Sequence, residues 1–329
     1  MKATNQARDS VMNFKLPALV MILLILAQTS CARRAPYTTI VYEKGGAYIA
    51  RDGFGHLLVA TPPGADPAPL LQKALNRRGD IYVAGGSYDF KLGFQGLQVR
   101  SFSRISIARD ATFTVPRRFK HALFTFQSVQ ATTLEGGFYT ERGGLGDIAA
   151  GVPPARRDWT LFRIVGGTGG NGTHSNVIRD IRTWYVRTVI DLAVTSDAGW
   201  ANGNRFSNFS VFAYRVGIDF SPTGAFQRNL FDNLIYQPHP VATADAGTRN
   251  IRGRANTFFN VYFYDALRAT DEGTVEELIT GNIAQITNEA EATLIIGGIM
   301  TQHNGKFVDN GVNTQIIDEL HVRALHIPP

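Results

Sequence analysis

Four segments of this chain share one pattern: Asn176-Val-Ile-Arg-Asp180, Asn204-Arg-Phe-Ser-Asn208, Asn229-Leu-Phe-Asp-Asn233 and Asn256-Thr-Phe-Phe-Asn260. Each runs Asn, any residue, Ile or Phe, any residue, then Asn or Asp, and a further apolar residue follows at Ile181, Phe209, Leu234 or Val261. Successive starts lie 28, 25 and 27 residues apart. A repeat of this length cannot bury its own apolar face, so it must stack on its neighbours as a solenoid. The runs between the motifs are rich in Val, Ile, Phe and Tyr, are broken by Gly, Asn and Asp, and carry no helical period. The expected fold is therefore all-β, a right-handed parallel β-helix.

Asparagine suits such a fold for two reasons. It tolerates the left-handed backbone that a sharp bend requires. Its amide can also bond the amide one coil away, so aligned asparagines form a ladder that satisfies buried polar groups.

A short helix is expected at the start of the solenoid, over residues 66–78. Asp66 reads as its N-cap, Pro67 as its first residue, and Leu70, Leu71, Ala74 and Leu75 as its apolar stripe, with Arg77, Arg78 and Gly79 closing it. Such a helix would cap the open end of the solenoid, which otherwise exposes a cross-section of core. Before it, residues 37–60 alternate around Gly45-Gly46 and Asp52-Gly53 and read as hairpin strands. After it come Ile81 to Ala84 and the turn Gly86-Ser87-Tyr88.

Asp66 to Leu75, Gly79, the strand Ile81 to Ala84 and Gly86-Ser87-Tyr88 follow in an order that resembles the pectate-lyase-like right-handed β-helix proteins. The resemblance spans about residues 60–315 and implies the fold more than an activity, since that group includes lyases, hydrolases, epimerases, phage tailspikes and non-enzymatic surface proteins. The paired-aspartate and Gly-His-Gly strings of polygalacturonases are missing, which argues against a pectin hydrolase.

The organisation read from the chain is a targeting segment at 1–32, strands and linker at 33–65, the β-helix at 66–318 and a tail at 319–329. Lys15 precedes an apolar run from Leu16 to Ala27 that is short for a membrane span. Ser30-Cys31-Ala32 then fits either secretory cleavage or lipidation of Cys31, which would attach the chain to a membrane. Cys31 is the one cysteine, so no intramolecular disulfide forms. A secreted or cell-envelope location follows from this segment. The stretch Thr140 to Asp158, rich in Gly and Pro, reads as a projecting loop suited to binding.

Charged residues make up only 18% of the chain, and the net charge of +6 is spread along it rather than gathered in a patch. That argues against a nucleic-acid surface and is at least as compatible with an acidic polysaccharide or a cell surface, so polysaccharide or cell-surface glycan is the expected partner and nucleic acid is not. Gly167-Thr-Gly-Gly-Asn-Gly172 matches a dinucleotide pattern but leads into strand-like sequence where a helix is needed.

Aligning the repeats on their first Asn exposes further columns. Asp191, Asp219 and Asp271 each fall 15 residues on, while the third repeat has Ala244 with Asp245 beside it. Apolar flanks such as Ile190 and Leu192 turn these carboxylates outward. Carboxylates on adjacent coils could act as a glycosidase pair, one holding its proton, or could bind Ca²⁺; a solvated row of aspartates is the plainer alternative. No metal site is otherwise expected. Trp184, Phe212 and Tyr264 form an aromatic column, with Tyr185, Tyr214 and Tyr236 close by, which would either stack on sugar rings or fill the core. Arg187 and Arg215 also align and are candidate bases by resemblance to the lyases. Three functions remain in view: polysaccharide binding, cleavage by a lyase or glycoside hydrolase, and a structural module of tailspike type assembled as a homotrimer.

Overall fold

The computed structural model describes residues 37–144, 158–238, 244–263, 267–269, 275–277, 279–298 and 307–317. The targeting segment with Cys31, the tail 319–329, most of the loop 140–158, Tyr264 and Asp271 lie outside the described residues.

The chain is an all-β solenoid, a parallel β-helix whose coils stack into a sheet of 19 strands. The coil that starts at Asn176 shows how the sequence makes it. The strand Val177–Val194 is bent at Asp180 and Tyr185, both left-handed at φ 60° and 65°, after a left-handed Ser175 at φ 56°. The next strand, Arg205–Phe220, bends at the equivalent Asn208 and Ala213, after Gly203. Between bends the residues alternate inward and outward as strands must.

Register between coils is tight. Ile178, Phe206, Phe231, Phe258 and Ile295 are successive neighbours across five strands. All five are buried, and the rings of Phe206 and Phe231 stack at 5.2 Å, those of Phe231 and Phe258 at 4.7 Å. Each such ring removes its whole side chain from water, worth roughly 1.5–3 kcal/mol.

The asparagine ladder forms as the repeat predicts. Asn176 Nδ2 donates to Asn204 Oδ1 at 3.0 Å, Asn204 Nδ2 to Asn229 Oδ1 at 3.1 Å, and Asn229 Nδ2 to Asn256 Oδ1 at 3.1 Å. Each carboxamide oxygen also accepts the backbone N–H of the preceding ladder residue, so the polar groups of the buried corner are paired. The left-handed residue is not the ladder asparagine, however. It is the residue before it, Ser175, Gly203, Arg228 or Ala255, and the Asx residue four positions after it, Asp180, Asn208, Asn233 or Asn260. The bend and the ladder are separate duties: one residue turns the chain so that the next can aim its amide inward. The outer Asx residues make a second, exposed ladder, with Asn208 Nδ2 on Asp180 Oδ1 at 2.9 Å and Asn233 Nδ2 on Asn208 Oδ1 at 3.0 Å.

The helix runs Ala68–Asn76, two residues shorter at each end than expected, and Pro67 rather than Asp66 is its N-cap. Asp66 still receives the Ala68 N–H at 2.9 Å, satisfying one of the free donors of the first turn. Leu70, Leu71, Ala74 and Leu75 are buried, and the last three close the interior over Ile81, Leu97 and Ile105. The strand Thr39–Lys44 pairs in parallel with Gly79–Val83 and antiparallel with Ala47–Asp52, which in turn pairs with Leu57–Ala60. The N-terminal strands thus extend the same sheet beyond the first coil.

Candidate functional site

The outward residues of the coils gather into files, and one file carries four charges. Asp191 lies opposite Asp219 on the next coil. Arg163 lies opposite Asp191 from the other side, and Arg249 opposite Asp219. The order Arg163, Asp191, Asp219, Arg249 therefore spans four adjacent strands. Arg163 Nε is 3.2 Å from Asp191 Oδ2, and Arg249 Nη2 is 2.5 Å from Asp219 Oδ2. Together with Ser221 and Asn250 these groups line an open cleft of about 430 Å³.

Asp191 is the perturbed group. Its side chain is 25% exposed, and burial pushes its carboxyl from 3.8 up to about 6; the Asp219 carboxylate adds to the rise, against the pull of Arg163 and Arg249. A carboxyl in this range exchanges a proton near neutral pH, as an acid catalyst must. Adjacent strands stand about 4.8 Å apart, so the two carboxyls stand on the same face about one strand spacing from each other.

Two members of this file escaped the repeat alignment. Arg163 lies in the strand Thr160–Gly166, ahead of the first Asn motif. Arg249 falls 20 residues after Asn229, not 15, because the third coil is longer before its second strand. Counting offsets therefore put Ala244 and Asp245 in a slot that Arg249 occupies. Asp245 instead pairs with Arg215, whose Nη2 is 2.8 Å from Asp245 Oδ2. On the following coil the position opposite Thr248 belongs to Ala284, so the file continues through the strand Ala284–Glu291. A signal for Arg163 existed: it sits between buried Phe162 and Ile164, as Asp191 does between Ile190 and Leu192.

Arg187 and Arg215 do stand on adjacent coils, between the register pairs Val186 with Tyr214 and Thr188 with Val216. They lie four residues upstream of the aspartates, roughly 13 Å along the strand, and do not line the cleft. Among the described residues no group of three or more His, Cys, Asp or Glu side chains could hold a metal ion. A Ca²⁺ at the aspartates would have to compete with two guanidinium groups.

The aromatic column divides. Trp184 is 37% exposed and lies opposite half-buried Phe212, ring centroids 5.7 Å apart. Tyr185, Tyr214 and Tyr236 are core residues, at most 1% exposed, which corrects their assignment to a sugar-binding surface. The cause is local. The left-handed bend at Tyr185 and at its neighbour Ala213 breaks strict alternation, so the bend residue and the one after it both point inward. Tyr214 then packs on Tyr236 at 5.3 Å, and Tyr236 stacks on Phe263 at 4.9 Å. Phe138, half-buried on the coil before Trp184, adds a ring the alignment omitted because its coil lacks the Asn motif; its centroid is 5.4 Å from that of Trp184. The Arg182 guanidinium lies 5.7 Å from the Phe138 ring centre.

Coil stacking, an internal amide ladder and a helix across one end define this chain as a capped parallel β-helix with a charged cleft on one flank. Two solved structures of PfbA, a surface adhesin of Streptococcus pneumoniae, are similar at 11% identity, over 77% of this chain and 92% and 82% of theirs, with TM-scores of 0.28 and 0.29. The fold itself is given by the register between coils and by the asparagine ladders. No protein-family model and no curated protein matches the chain.

Proposed function

We propose that this chain is a secreted or surface-attached protein that binds polysaccharide and cleaves it as a glycoside hydrolase at the Asp191 and Asp219 pair. The observation that carries the reading is Asp191: a carboxyl held near 6, in register beside a second carboxyl, in a cleft open to solvent. In this reading protonated Asp191 gives its proton to the glycosidic oxygen as the Asp219 carboxylate attacks the sugar carbon and the glycosidic C–O bond breaks; water, deprotonated by Asp191, then displaces Asp219 from the sugar. A spacing near one strand repeat suits retention, for which carboxyls stand about 5–5.5 Å apart. Arg163 and Arg249 keep the pair from repelling itself apart, and Ser221 and Asn250 offer hydrogen bonds to sugar hydroxyls. Trp184, Phe212 and Phe138 supply apolar faces against which sugar rings pack, upstream on the same coils. Kinship with the pectate-lyase-like group is part of this proposal and is supported by the order of helix, first strand and Tyr88 turn.

A second reading, binding without turnover, is favoured by one observation: each carboxylate of the pair already engages an arginine. Lyase chemistry through Arg187 or Arg215 is the weaker alternative, since neither lines the cleft and Arg215 is held by Asp245.

The test is a panel of neutral and uronate-containing polysaccharides presented to the full chain, read for both binding and release of new reducing ends. Hydrolysis predicts that Asp191→Asn and Asp219→Asn keep binding and lose turnover by at least about a hundredfold, the scale of one acid or base catalyst. Binding with no turnover by the unsubstituted chain supports the second reading, and no binding to any member rejects both.

A further inference from the structure

The tip of the N-terminal hairpin combines features that the cleft does not use. Phe54 and Leu57 are 62% and 58% exposed, at the turn between the strands Ala47–Asp52 and Leu57–Ala60. Among the described residues the second of these strands pairs on one side only, at the outer edge of the sheet beyond the first coil. Two cations stand at the tip. The Arg51 guanidinium donates to Gly55 O at 2.6 Å, and Lys73 Nζ reaches Leu58 O at 3.5 Å. The one acid in the turn, Asp52, is taken up locally: it accepts the N–H groups of Phe54 and His56, both at 2.9 Å, and meets His56 Nδ1 at 3.0 Å.

The same corner is where the chain enters the fold. Gly53 N–H bonds Thr38 O at 3.2 Å, so the tip lies beside the first described residues. Cys31 is six residues before Tyr37, a reach of at most about 20 Å even fully extended. Anything that holds Cys31 at a bilayer therefore keeps this tip within about 20 Å of it. Among the described residues no helix is long and apolar enough to cross a membrane.

We infer that Phe54 and Leu57 insert into the boundary of an anionic lipid bilayer while Arg51 and Lys73 face its headgroups. The chemistry is that of interfacial binders, apolar side chains in the acyl boundary with basic groups at headgroup depth, and it supplies the second attachment that a single lipid chain needs for stable anchoring. The inference rests on a membrane-directed N-terminal segment and is independent of the cleft. It orients the β-helix with its helix-capped end toward the membrane and its later coils away from it.

The experiment is Phe54→Trp in the full chain, read by the fluorescence gained over the unsubstituted protein, with phosphatidylglycerol vesicles, phosphatidylcholine vesicles and no vesicles. The expected result is a blue shift and quenching by brominated acyl chains on phosphatidylglycerol, with much less on phosphatidylcholine. Phe54→Ser with Leu57→Ser should weaken partition to phosphatidylglycerol about tenfold or more, with circular dichroism and thermal midpoint unchanged. Co-sedimentation with vesicles while the introduced indole stays in water would show tethering by the N-terminal run alone and overturn the inference. An equal response on both lipids would overturn the charge assignment. A dimer abolished by Leu57→Ser would reassign the strand edge to a second copy of the chain and overturn it as well.

Discussion

Asp191 and Asp219 are 28 residues apart in sequence and one strand apart in space, opposite each other on successive coils. Stacking alone makes them a pair, and the burial of Asp191 makes that pair asymmetric, with its carboxyl near 6.

Stability should depend on this carboxyl. Its folded value of about 6 lies above 3.8, so the folded state binds the proton more tightly than the unfolded chain. The associated stability is fully present below about pH 4 and is lost as pH rises through about 6, by at most roughly 3 kcal/mol. Urea denaturation at pH 5 and pH 8 should show the unsubstituted chain losing more stability than Asp191→Asn, and Asp191→Asn should be the more stable of the two at pH 8.

Turnover should follow the same group. If protonated Asp191 is the acid, rate falls as pH rises through about 6. Arg163→Ala removes a charge that pulls the carboxyl down, so the falling limb should move to higher pH, and Asp219→Asn removes a repelling charge, so in binding assays the transition should move lower. A pH-rate profile of the arginine variant that does not move would remove Arg163 from the site.

The two asparagine ladders should differ in weight. Asn204 is buried, and its carboxamide accepts from Asn176 and donates to Asn229 and to Thr173 O. Asn204→Ala leaves several buried partners unpaired and should cost roughly 3 kcal/mol by chemical denaturation. Asn208→Ala, in the exposed ladder, loses two solvated bonds, one given to Asp180 and one accepted from Asn233, and forces alanine to φ 57°, and should cost about 1 kcal/mol.

Gly217 is a packing position. A Cβ there would lie 2.6 Å from Gly247 O and about 3.0 Å from the rings of Phe263 and Tyr236. Backbone on one side and stacked rings on the other leave little room to yield, so Gly217→Ala should lower stability by roughly 1–3 kcal/mol in thermal or urea unfolding.

The fold was legible because a solenoid writes its register into the chain: each coil must turn at the same place, and Asn176, Asn204, Asn229 and Asn256 mark it. The aspartate pair was legible for the same reason, since two consecutive coils keep one length between their Asn and Asp. Legibility ended where coil length changed, as it does between Asn229 and Arg249, and where a coil lacks the motif, as those of Arg163 and Phe138 do. It ended too at the bend residues. Ser175, Tyr185 and Ala213 adopt left-handed backbone without the Gly or Asn that announces it, so the inward turn of Tyr185 and Tyr214 was hidden from any reading by alternation.

The most direct test is the titration of Asp191 itself, followed by the carboxyl-carbon resonance of Asp-labelled protein and assigned by comparison with Asp191→Asn. The account predicts a midpoint near 6 that falls in Asp219→Asn. A midpoint near 3.8, indifferent to Asp219, would show two aspartates that share a file without sensing each other, and would contradict it.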